Sequence, residues 1–577
     1  MTNLELKQLK DKLWHSADIL RSGAHISANK YGQPILGLIF LRYADILFKQ
    51  HKEEIDKEFN SKKGTRAERS YEEVCKEKCG FYLPDCAYFD FINDSADTAE
   101  KAELVKKAME AIEEHNPKLK GVLPKEVYGQ LVPEEEPELL SRVVRIFKDI
   151  PENIEIDLFG EIYEFFLGEF ALSEGKDGGT FYTPASVVRY MVEVIRPESG
   201  ERTFLDPACG SGGMFVQAAR YMHRHNADSD RMKFRCYGVE KEPDTVKLAK
   251  MNLMLNNVRG DITEANSFYS NPYDAVGKFD YVMANPPFNV DEVLYEKVKD
   301  DTRFNAYGMT KGTKGKGKDA KETVSNANYL WISYFATALN ENGRAALVMA
   351  NSASDAGSND LTIRQNMIKS GIIKQMVTLP SNMFTSVTLP ATLWFFDKAK
   401  PENQKDEILF IDARNIFTQI DRAHRKFSEE QIKNLALITR LYEGDKQAYI
   451  DLINEYIFNS EHSDNKEYWE EHINWINERF PNGEYRDVIG LCKVAKIGEV
   501  YDDEGNVKEI LEDSIADQDW SLNAGRYVGV VIEDDGMTEE EFKKHMKSLN
   551  KEFEKLSGEA KILEEAIAKN LKELFGV

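Results

Sequence analysis

The segment TFLDPACGSGG, residues 203–213, reads as a short β-strand, a glycine-rich turn and the start of a helix. Glycines lack the Cβ atoms that would keep a ligand away from the backbone, and a helix N-terminus favours a carboxylate or phosphate group. Many glycine-rich turns hold no ligand, so the turn alone is weak evidence. This one follows a strand that ends in Asp206, and that context favours a ligand site.

Short β-rich runs alternate with helical stretches from the glycines around residue 178 to about residue 400. Such alternation predicts a mostly parallel sheet covered by helices, an α/β domain that we assign to residues 151–415. Two late runs, ATLWFFDK and EILFIDAR, predict antiparallel strands that close the sheet. The main runs are TFLD, KFRCYGVE, KFDYVMANPPF, GRAALVMANS and IIKQMVTL.

The regions on either side of this domain have helical patterns. Apolar residues at helical spacing predict a helical N-terminal domain over residues 1–150, with a central helix that begins at Pro34. Residues 416–577 predict a mostly helical C-terminal region. From Phe542 to Leu574 its apolar residues alternate at spacings of four and three, with Thr538 and Glu541 in capping-box register. We expect one long helix that docks on a partner, in preference to its own domain.

The composition of the chain excludes several classes of function. A net charge of −24 over 577 residues argues against a protein that coats nucleic acid unaided, so DNA binding must be local or shared. Six sparse cysteines indicate a reducing, cytoplasmic compartment. No membrane span is expected, because the apolar stretch 35–48 is too short. We predict no metal site, since Cys75, Cys79 and Cys86 lack a fourth ligand nearby.

The run at residues 234–240 ends in Glu240, at the place where an acidic residue holds two ribose hydroxyls in dinucleotide-binding sheets. Taken alone, this residue could equally be a solvated acid at a strand end. The glycine-rich turn beside it favours a ribose contact.

The motif Asn285-Pro286-Pro287-Phe288 follows the strand KFDYVMA, and ligands of open α/β sheets bind outside such strand ends. The chemistry that this motif suits is the activation of an aromatic amine. Such an amine is a weak nucleophile because its lone pair is delocalised into the ring. The Asn285 side-chain oxygen and the Pro286 carbonyl can each accept one amine hydrogen and so localise that pair. Prolines offer no competing N–H, and Phe288 offers a face for an extruded base. An isolated NPPF would be only a rigid turn.

DPACGSGG, Glu240 and NPPF together resemble the Rossmann-like class I methyltransferases, which implies a seven-stranded, mostly parallel sheet and the cofactor S-adenosylmethionine. The resemblance places the glycine turn at the methionine end of the cofactor, and Asn266 at its adenine. GTFYTP, upstream, resembles a segment that wraps the methionine. Thr183 there can donate to the carboxylate, cap the next helix, or do both. Cys209 is interpreted as a packed residue, because the Pro-Cys pair of cytosine-ring enzymes is absent. The implied cofactor residues are Gly179, Thr180, Phe181, Tyr182, Thr183, Pro184, Asp206, Gly210, Ser211, Gly212, Gly213, Glu240 and Asn266.

Over nearly its whole length the chain resembles the modification (M) subunits of type I restriction–modification systems, which serve in phage defence. The resemblance implies methylation of the exocyclic N6 amine of adenine in DNA, with a specificity (S) subunit that reads DNA and a restriction (R) subunit that cuts it. It also implies two M copies per S subunit. The matching segments include LWHSADILRSG, DLFGEIYEFFLGEFA, IRQNMIKSGIIKQMVTLPSNMF, ILFIDARNIF and DWSLNAGRYVG.

Two other functions fit parts of the sequence. One is methylation of another planar amine, in a protein glutamine or an RNA base, although the long helical flanks argue against those compact enzymes. The other is a cofactor-binding scaffold in a phage-defence complex that no longer methylates, although intact DPACGSGG and NPPF argue against decay.

The basic, glycine-rich segment 311–321 follows NPPF and carries five lysines in an otherwise acidic chain. One hypothesis is that it contacts DNA phosphates near the extruded base. A solvated linker is an equally good interpretation.

Overall fold

The computed structural model describes residues 3–23, 28–95, 100–133, 136–154, 156–174, 183–225, 234–315, 321–357, 359–384, 390–421, 424–502, 504–531 and 539–575. Two compact units divide the chain, residues 1–528 and residues 529–577.

The first part of the chain is helical, as predicted. Its helix α2 begins at Ala28, so the prediction that it starts at Pro34 is wrong, and the proline lies inside the helix. The apolar side chains of α2 and α7 share one buried core, and this packing outweighs the one backbone hydrogen bond that Pro34 cannot donate. The helices are α1 (Asn3–Gly23), α2 (Ala28–Lys62), α3 (Tyr71–Cys79), α4 (Phe89–Asn93), α5 (Glu100–His115), α6 (Leu139–Lys148) and α7 (Ile156–Glu174).

Charged residues inside this core are paired. In α2, Arg42 contacts Asp45 at 3.0 Å and donates to the Ile150 carbonyl at 2.7 Å, which ties the helix to the end of the domain. Asp45, Asp90 and Glu152 form the one group of three carboxylates close enough for a metal ion within the described ranges. The Lys49 amine contacts all three, so these carboxylates form an ion-pair network around a lysine.

One sheet dominates the rest of the molecule. Its order is β13-β10-β8-β9-β7-β4-β1-β2-β3, so it has nine strands where we predicted seven. The ten strands before residue 415 are β1 (Arg202–Asp206), β2 (Phe234–Glu240), β3 (Gly260–Glu264), β4 (Phe279–Ala284), β5 (Gly312–Lys314), β6 (Lys321–Thr323), β7 (Leu339–Ala350), β8 (Ile373–Thr378), β9 (Ala391–Asp397) and β10 (Glu407–Asp412). The later strands are β11 (Thr418–Gln419), β12 (Arg425–Lys426), β13 (Cys492–Lys496), β14 (Glu499–Tyr501) and β15 (Val507–Ile510).

The two additional strands extend one edge of the sheet. β9 is antiparallel to both neighbours, as predicted, whereas β10 is parallel to β8 and is antiparallel only to β13. β13 comes from beyond residue 415, too far along the sequence for its partner to be recognised from pattern alone. The domain borders at 150 and 415 stay predictions.

Helices cover both faces of this sheet, and the apolar residues of its central strands alternate between two cores. Phe204 and Met283 face one core, whereas Leu205 and Val282 face the other. The covering helices before residue 415 are α8 (Ala185–Ile195), α9 (Gly213–His225), α10 (Pro243–Leu255), α11 (Tyr295–Val298), α12 (Thr302–Asn305), α13 (Asn328–Ala338) and α14 (Asn359–Lys369).

The C-terminal region is mostly helical, with α15 (Glu429–Tyr442), α16 (Lys446–His462), α17 (Lys466–Arg479) and α18 (Glu539–Phe575). α18 is a single helix of 37 residues, as predicted, and forms most of the second unit. The large apolar side chains of its seam between Phe542 and Ile567 are exposed, from 45% at Leu549 to 68% at Phe553. Thr538 of the predicted capping box lies outside the described residues. None of the helices in the described ranges has the length and apolar character that a membrane span requires.

Close packing at Gly37 gives a test of the helical domain. A Cβ at this position would meet the Tyr128 hydroxyl and would lie 2.7 Å from Pro124 Cγ. Tyr128 is buried and donates to the Pro34 carbonyl, so it cannot move freely. We expect Gly37→Ala to destabilise the domain by about 1–3 kcal/mol, seen as a lower melting temperature. Gly129→Ala is the control, because a Cβ there meets nothing within 4 Å. Equal melting temperatures for both variants would contradict this packing.

Candidate active site

The predicted motifs meet at the carboxyl ends of the central strands of the sheet. β1 is parallel to β2 on one side and to β4 on the other, with Leu205 opposite Val282 and Asp206 opposite Gly238. The glycine turn, Glu240 and Asn285 therefore follow the carboxyl ends of three adjacent strands. Neighbouring strands lie about 4.8 Å apart, so these loops border one site.

The glycine turn has the backbone that its sequence predicts. Gly210 and Gly212 have φ of 50° and 81°, in the left-handed region that favours glycine. A Cβ on Gly212 would lie 2.8 Å from Leu253 Cδ1, so close packing against α10 also requires glycine there. Nothing lies within 4 Å of a Cβ placed on Gly210 or Gly213, which leaves open space beside the turn. This open space fits a ligand held against the backbone.

Glu240 connects the second strand to this turn. Its carboxylate accepts hydrogen bonds from the backbone N–H of Gly210 at 3.0 Å, Lys241 at 2.7 Å and Glu242 at 2.9 Å. The side chain is half-buried and is held in place by the backbone, unlike a freely solvated acid at a strand end. A fixed acceptor beside open space suits the two hydroxyls of a ribose.

Asp206 and Cys209 lie beneath the turn. Asp206 is 1% exposed and accepts from the Ala208 N–H at 3.0 Å. Burial raises the pKa of the Asp206 carboxyl well above its ordinary value, and the nearby Glu240 carboxylate adds to the rise. Burial also raises the pKa of the Cys209 thiol, which disfavours the thiolate that a nucleophile would need. The structure thus places Cys209 as a packed residue.

Asn266 follows β3, next to Glu240. Its side-chain oxygen accepts from the Phe268 N–H at 3.0 Å, so the amide shapes its own turn. The next residue, Ser267, donates to the Pro207 carbonyl and joins this turn to the glycine turn. The predicted role of Asn266 towards adenine stays a prediction.

Arg303, which the sequence analysis missed, holds this region together. It is 2% exposed and donates at 2.9 Å to the carbonyls of both Ser267 and Ser270. Its other nitrogens contact the Asp301 carboxylate, and its guanidinium lies over the Tyr334 ring at 4.9 Å. Arginine in an acidic chain normally suggests a surface charge. The sequence signal that could have revealed Arg303 is the run Asp301-Thr-Arg303 at the start of α12, because Asp301 is the N-cap of that helix.

Asn285 lies at the end of β4 with only 9% of its surface exposed. Neither its side-chain oxygen nor its side-chain nitrogen has a hydrogen-bond partner in the structure. Buried amides are nearly always paired, and leaving one unpaired costs about 1–3 kcal/mol. Pro286 is also buried, while Pro287 and Phe288 are partly exposed. This is the arrangement expected of a group whose partner is a bound molecule.

The segment GTFYTP is only partly described. Gly179, Thr180, Phe181 and Tyr182 lie outside the described residues, so their predicted cofactor contacts stay predictions. Pro184 is the N-cap of α8, and no side chain caps that helix. The interpretation of Thr183 as the helix cap is therefore wrong, because the helix begins one residue later than its sequence suggested.

The lysine-rich segment forms the short hairpin β5–β6, anchored beside NPPF by a hydrogen bond from the Val324 N–H to the Val293 carbonyl. Lys311 pairs with Glu322 at 2.8 Å, and Lys314 pairs with Asp291 at 2.9 Å. Acidic neighbours therefore balance two of the five lysines. Residues 316–320, with two more lysines, lie outside the described residues.

Comparisons with known proteins agree with this geometry. The family model N-6 DNA Methylase matches residues 154–450, and the HsdM N-terminal domain matches residues 9–147. The type I restriction enzyme MjaIX methylase subunit of Methanocaldococcus jannaschii is 33% identical over 98% of this chain and 91% of its own length. The HindI methylase subunit of Haemophilus influenzae is 33% identical over 82% of this chain and 92% of its own.

A solved structure shows the same fold. The type I restriction-modification methyltransferase subunit from Streptococcus thermophilus superposes with a TM-score of 0.67 at 20% identity, covering 91% of this chain and all of that one. These findings confirm the family and fold predicted from the sequence. The chain belongs to the methylase subunits of type I restriction–modification systems, a family of adenine-specific N6 DNA methyltransferases.

Proposed function

We propose that this subunit transfers a methyl group from S-adenosylmethionine to the N6 amine of an adenine extruded from DNA, at a site chosen by a separate specificity subunit. The buried, unpaired side chain of Asn285 carries the proposal. It provides an acceptor at the end of β4, beside a turn that leaves space for a ligand.

The reaction needs a more nucleophilic amine, and the NPPF motif supplies hydrogen-bond acceptors that increase its nucleophilicity. The Asn285 side-chain oxygen and the Pro286 carbonyl each accept one N6 hydrogen, which draws the nitrogen towards a tetrahedral shape and localises its lone pair. S-adenosylmethionine supplies a methyl group on a positively charged sulfur. With the cofactor bound, the N6 nitrogen would take this methyl group from the sulfur, which would keep the electron pair of the broken bond, and the extra proton on nitrogen would then leave to water. Neither a general base nor a thiolate is required.

The residues around the glycine turn would hold the cofactor. Open space lies beside Gly210 and Gly213, and the Glu240 carboxylate is fixed where ribose hydroxyls could donate to it. Asn266 and the loop that Arg303 holds complete the adenine end. We assign segment 179–184 to the methionine end, as the sequence predicts.

We base the roles of the separate subunits on the net charge of this chain and on the exposed seam of α18. A net charge of −24 leaves this chain poorly suited to grip DNA alone, so we assign DNA reading to an S subunit and cleavage to an R subunit. The exposed seam of α18 would pack against helices of the S subunit, with two M copies per S subunit. The lysines of segment 311–321 would contact phosphate. Six free cysteines suit the reducing cytoplasm, where we place the complex.

Replacing the acceptor tests the proposal directly. We expect Asn285→Ala to lower the rate of methyl transfer roughly 10²–10³-fold, because it removes an acceptor used in the transition state. Cofactor affinity should stay within roughly twofold, since Asn285 is not part of the glycine turn. The measurement is transfer of labelled methyl groups to DNA by the co-expressed complex, followed by identification of the modified base.

Asn454→Ala, on the exposed face of α16, is the matched control and should keep full activity. An Asn285→Ala enzyme as active as the unaltered one, or methylation of a base other than adenine, would contradict the proposal. Cofactor binding without any transfer by the unaltered complex would favour the scaffold alternative.

Arg303 offers a test of the cofactor pocket. Arg303→Met removes the donors to the Ser267 and Ser270 carbonyls, which loosens the loop next to Asn266. We expect the Kd for S-adenosylmethionine to rise roughly tenfold, measured by calorimetry on folded protein. Arg235→Met, at the exposed opposite end of β2, is the control. An unchanged Kd in both variants would show that this loop is not part of the pocket.

The seam of α18 predicts which surface binds the S subunit. Leu549→Asp should abolish co-purification with the S subunit, because the substitution places a carboxylate in an apolar helix interface. Lys551→Asp changes the opposite face of the same helix and should preserve the complex. Retention of the S subunit by Leu549→Asp, or its loss from both variants, would refute the seam as the docking surface.

A further inference from the structure

The chain makes an unusual turn directly after NPPF. Asn289 has a φ of 55°, in the left-handed region that residues other than glycine seldom adopt. Asparagine tolerates this conformation better than most residues do, but the backbone still needs support from its surroundings. The support comes from a distant part of the chain.

Three asparagine side chains bond to one another around this turn. The Asn289 N–H donates to the Asn328 side-chain oxygen at 2.8 Å, and the Asn328 side-chain nitrogen donates back to the Asn289 side-chain oxygen at 3.0 Å. That same oxygen accepts from the Asn326 side-chain nitrogen at 3.1 Å. The Asn326 side-chain oxygen accepts from the Asn328 N–H at 2.8 Å. We name Asn289, Asn326 and Asn328 the amide clamp.

The amide clamp joins the catalytic loop to the start of α13. Asn328 is 4% exposed and is the first residue of that helix, whose other residues are nearly all buried. A backbone bond from the Ala327 N–H to the Val290 carbonyl, 2.9 Å long, lies beside the clamp. The turn that follows NPPF is therefore attached to the core through the start of α13.

Within the described part of the chain, the first three residues of NPPF make few hydrogen bonds of their own. Pro286 and Pro287 have no N–H to donate, and the Asn285 side chain has no partner. On one side the motif is held by β4, whose Ala284 pairs with Leu347 of β7. On the other side, the clamp at Asn289 is the nearest set of side-chain hydrogen bonds in the described part of the chain.

We propose that Asn289, Asn326 and Asn328 are positioning residues that fix the orientation of NPPF, so that Asn285 and the Pro286 carbonyl face the amine of the target base. The inference rests on the proposed function for the role of Asn285. It adds that the geometry of the acceptor pair is set by amide side chains nearly 40 residues further along the chain.

Asn289→Gly tests the side-chain hydrogen bonds of the clamp separately from the backbone conformation of the turn. Glycine adopts the left-handed turn without strain, so the substitution removes only the side-chain oxygen that two other amides bond. We expect kcat for methyl transfer by the complex with its S subunit to fall roughly 10- to 100-fold, with the KM for DNA and for cofactor within roughly twofold. Hydrogen exchange at the backbone of residues 286–293 should become faster, while the melting temperature stays close to that of the unaltered protein.

Two variants control this experiment. Asn289→Asp keeps an oxygen that can accept both amide N–H groups, so it should restore kcat and slow exchange. Asn482→Gly changes an exposed asparagine with a φ of 62° elsewhere in the chain and should change neither readout. A purely structural role would lower stability without separating kcat from KM.

The proposal would be overturned if Asn289→Gly kept the kcat and the exchange rate of the unaltered enzyme, or if Asn289→Asp failed to restore them. The exchange measurement needs no methylation activity. Absence of methyl transfer in the unaltered complex would therefore count against the proposed function, while faster exchange in Asn289→Gly would still support the clamp.

Discussion

An amide side chain buried without a hydrogen-bond partner is the feature on which this site depends. Asn285 is enclosed at the end of β4, and both of its polar atoms are unpaired. Folding alone would favour a residue that leaves no such atoms, because unpaired buried amides destabilise a protein. The surrounding sheet and its two apolar cores must therefore supply the free energy that holds Asn285 ready for an external partner.

The described loops around Asn285 are bonded to one another before any ligand binds. Bonds between loops connect neighbouring strands: Gly210 to Glu240, Ser267 to Pro207, and Arg303 to the turn after β3. Each of these bonds uses backbone groups that the strand ends leave unpaired. A site whose loops are tied to one another needs little rearrangement on binding, which is how fixed dipoles and acceptors contribute to catalysis.

Much of this fold and site could be predicted from the sequence, because the signals are local. DPACGSGG, Glu240 and NPPF each lie within a few residues of a strand end, and a mostly parallel sheet follows from the alternation of strands and helices. The seam of α18 was equally visible, since a heptad needs only one helix. Local signals failed at Pro34 and Thr183, because α2 begins at Ala28 and α8 begins at Ala185 without a side-chain cap.

The parts that could not be predicted depend on distant contacts. β13 joins the sheet opposite β10, although roughly 80 residues separate the two strands. Arg303 and Asn328 resemble ordinary polar residues until the fold brings their partners to them from 33 and 39 residues away. A single sequence contains no pattern for such pairs, because the hydrogen bonds form only when both chain segments pack on the same core.

The most direct measurement is a structure of the complex with its S subunit, bound to DNA and to a cofactor analogue that carries no transferable methyl group. The account predicts an adenine swung out of the duplex, with the Asn285 side-chain oxygen and the Pro286 carbonyl each about 3 Å from its exocyclic nitrogen. An adenine still stacked in the helix, or an Asn285 side chain bonded to other protein groups in that complex, would contradict it.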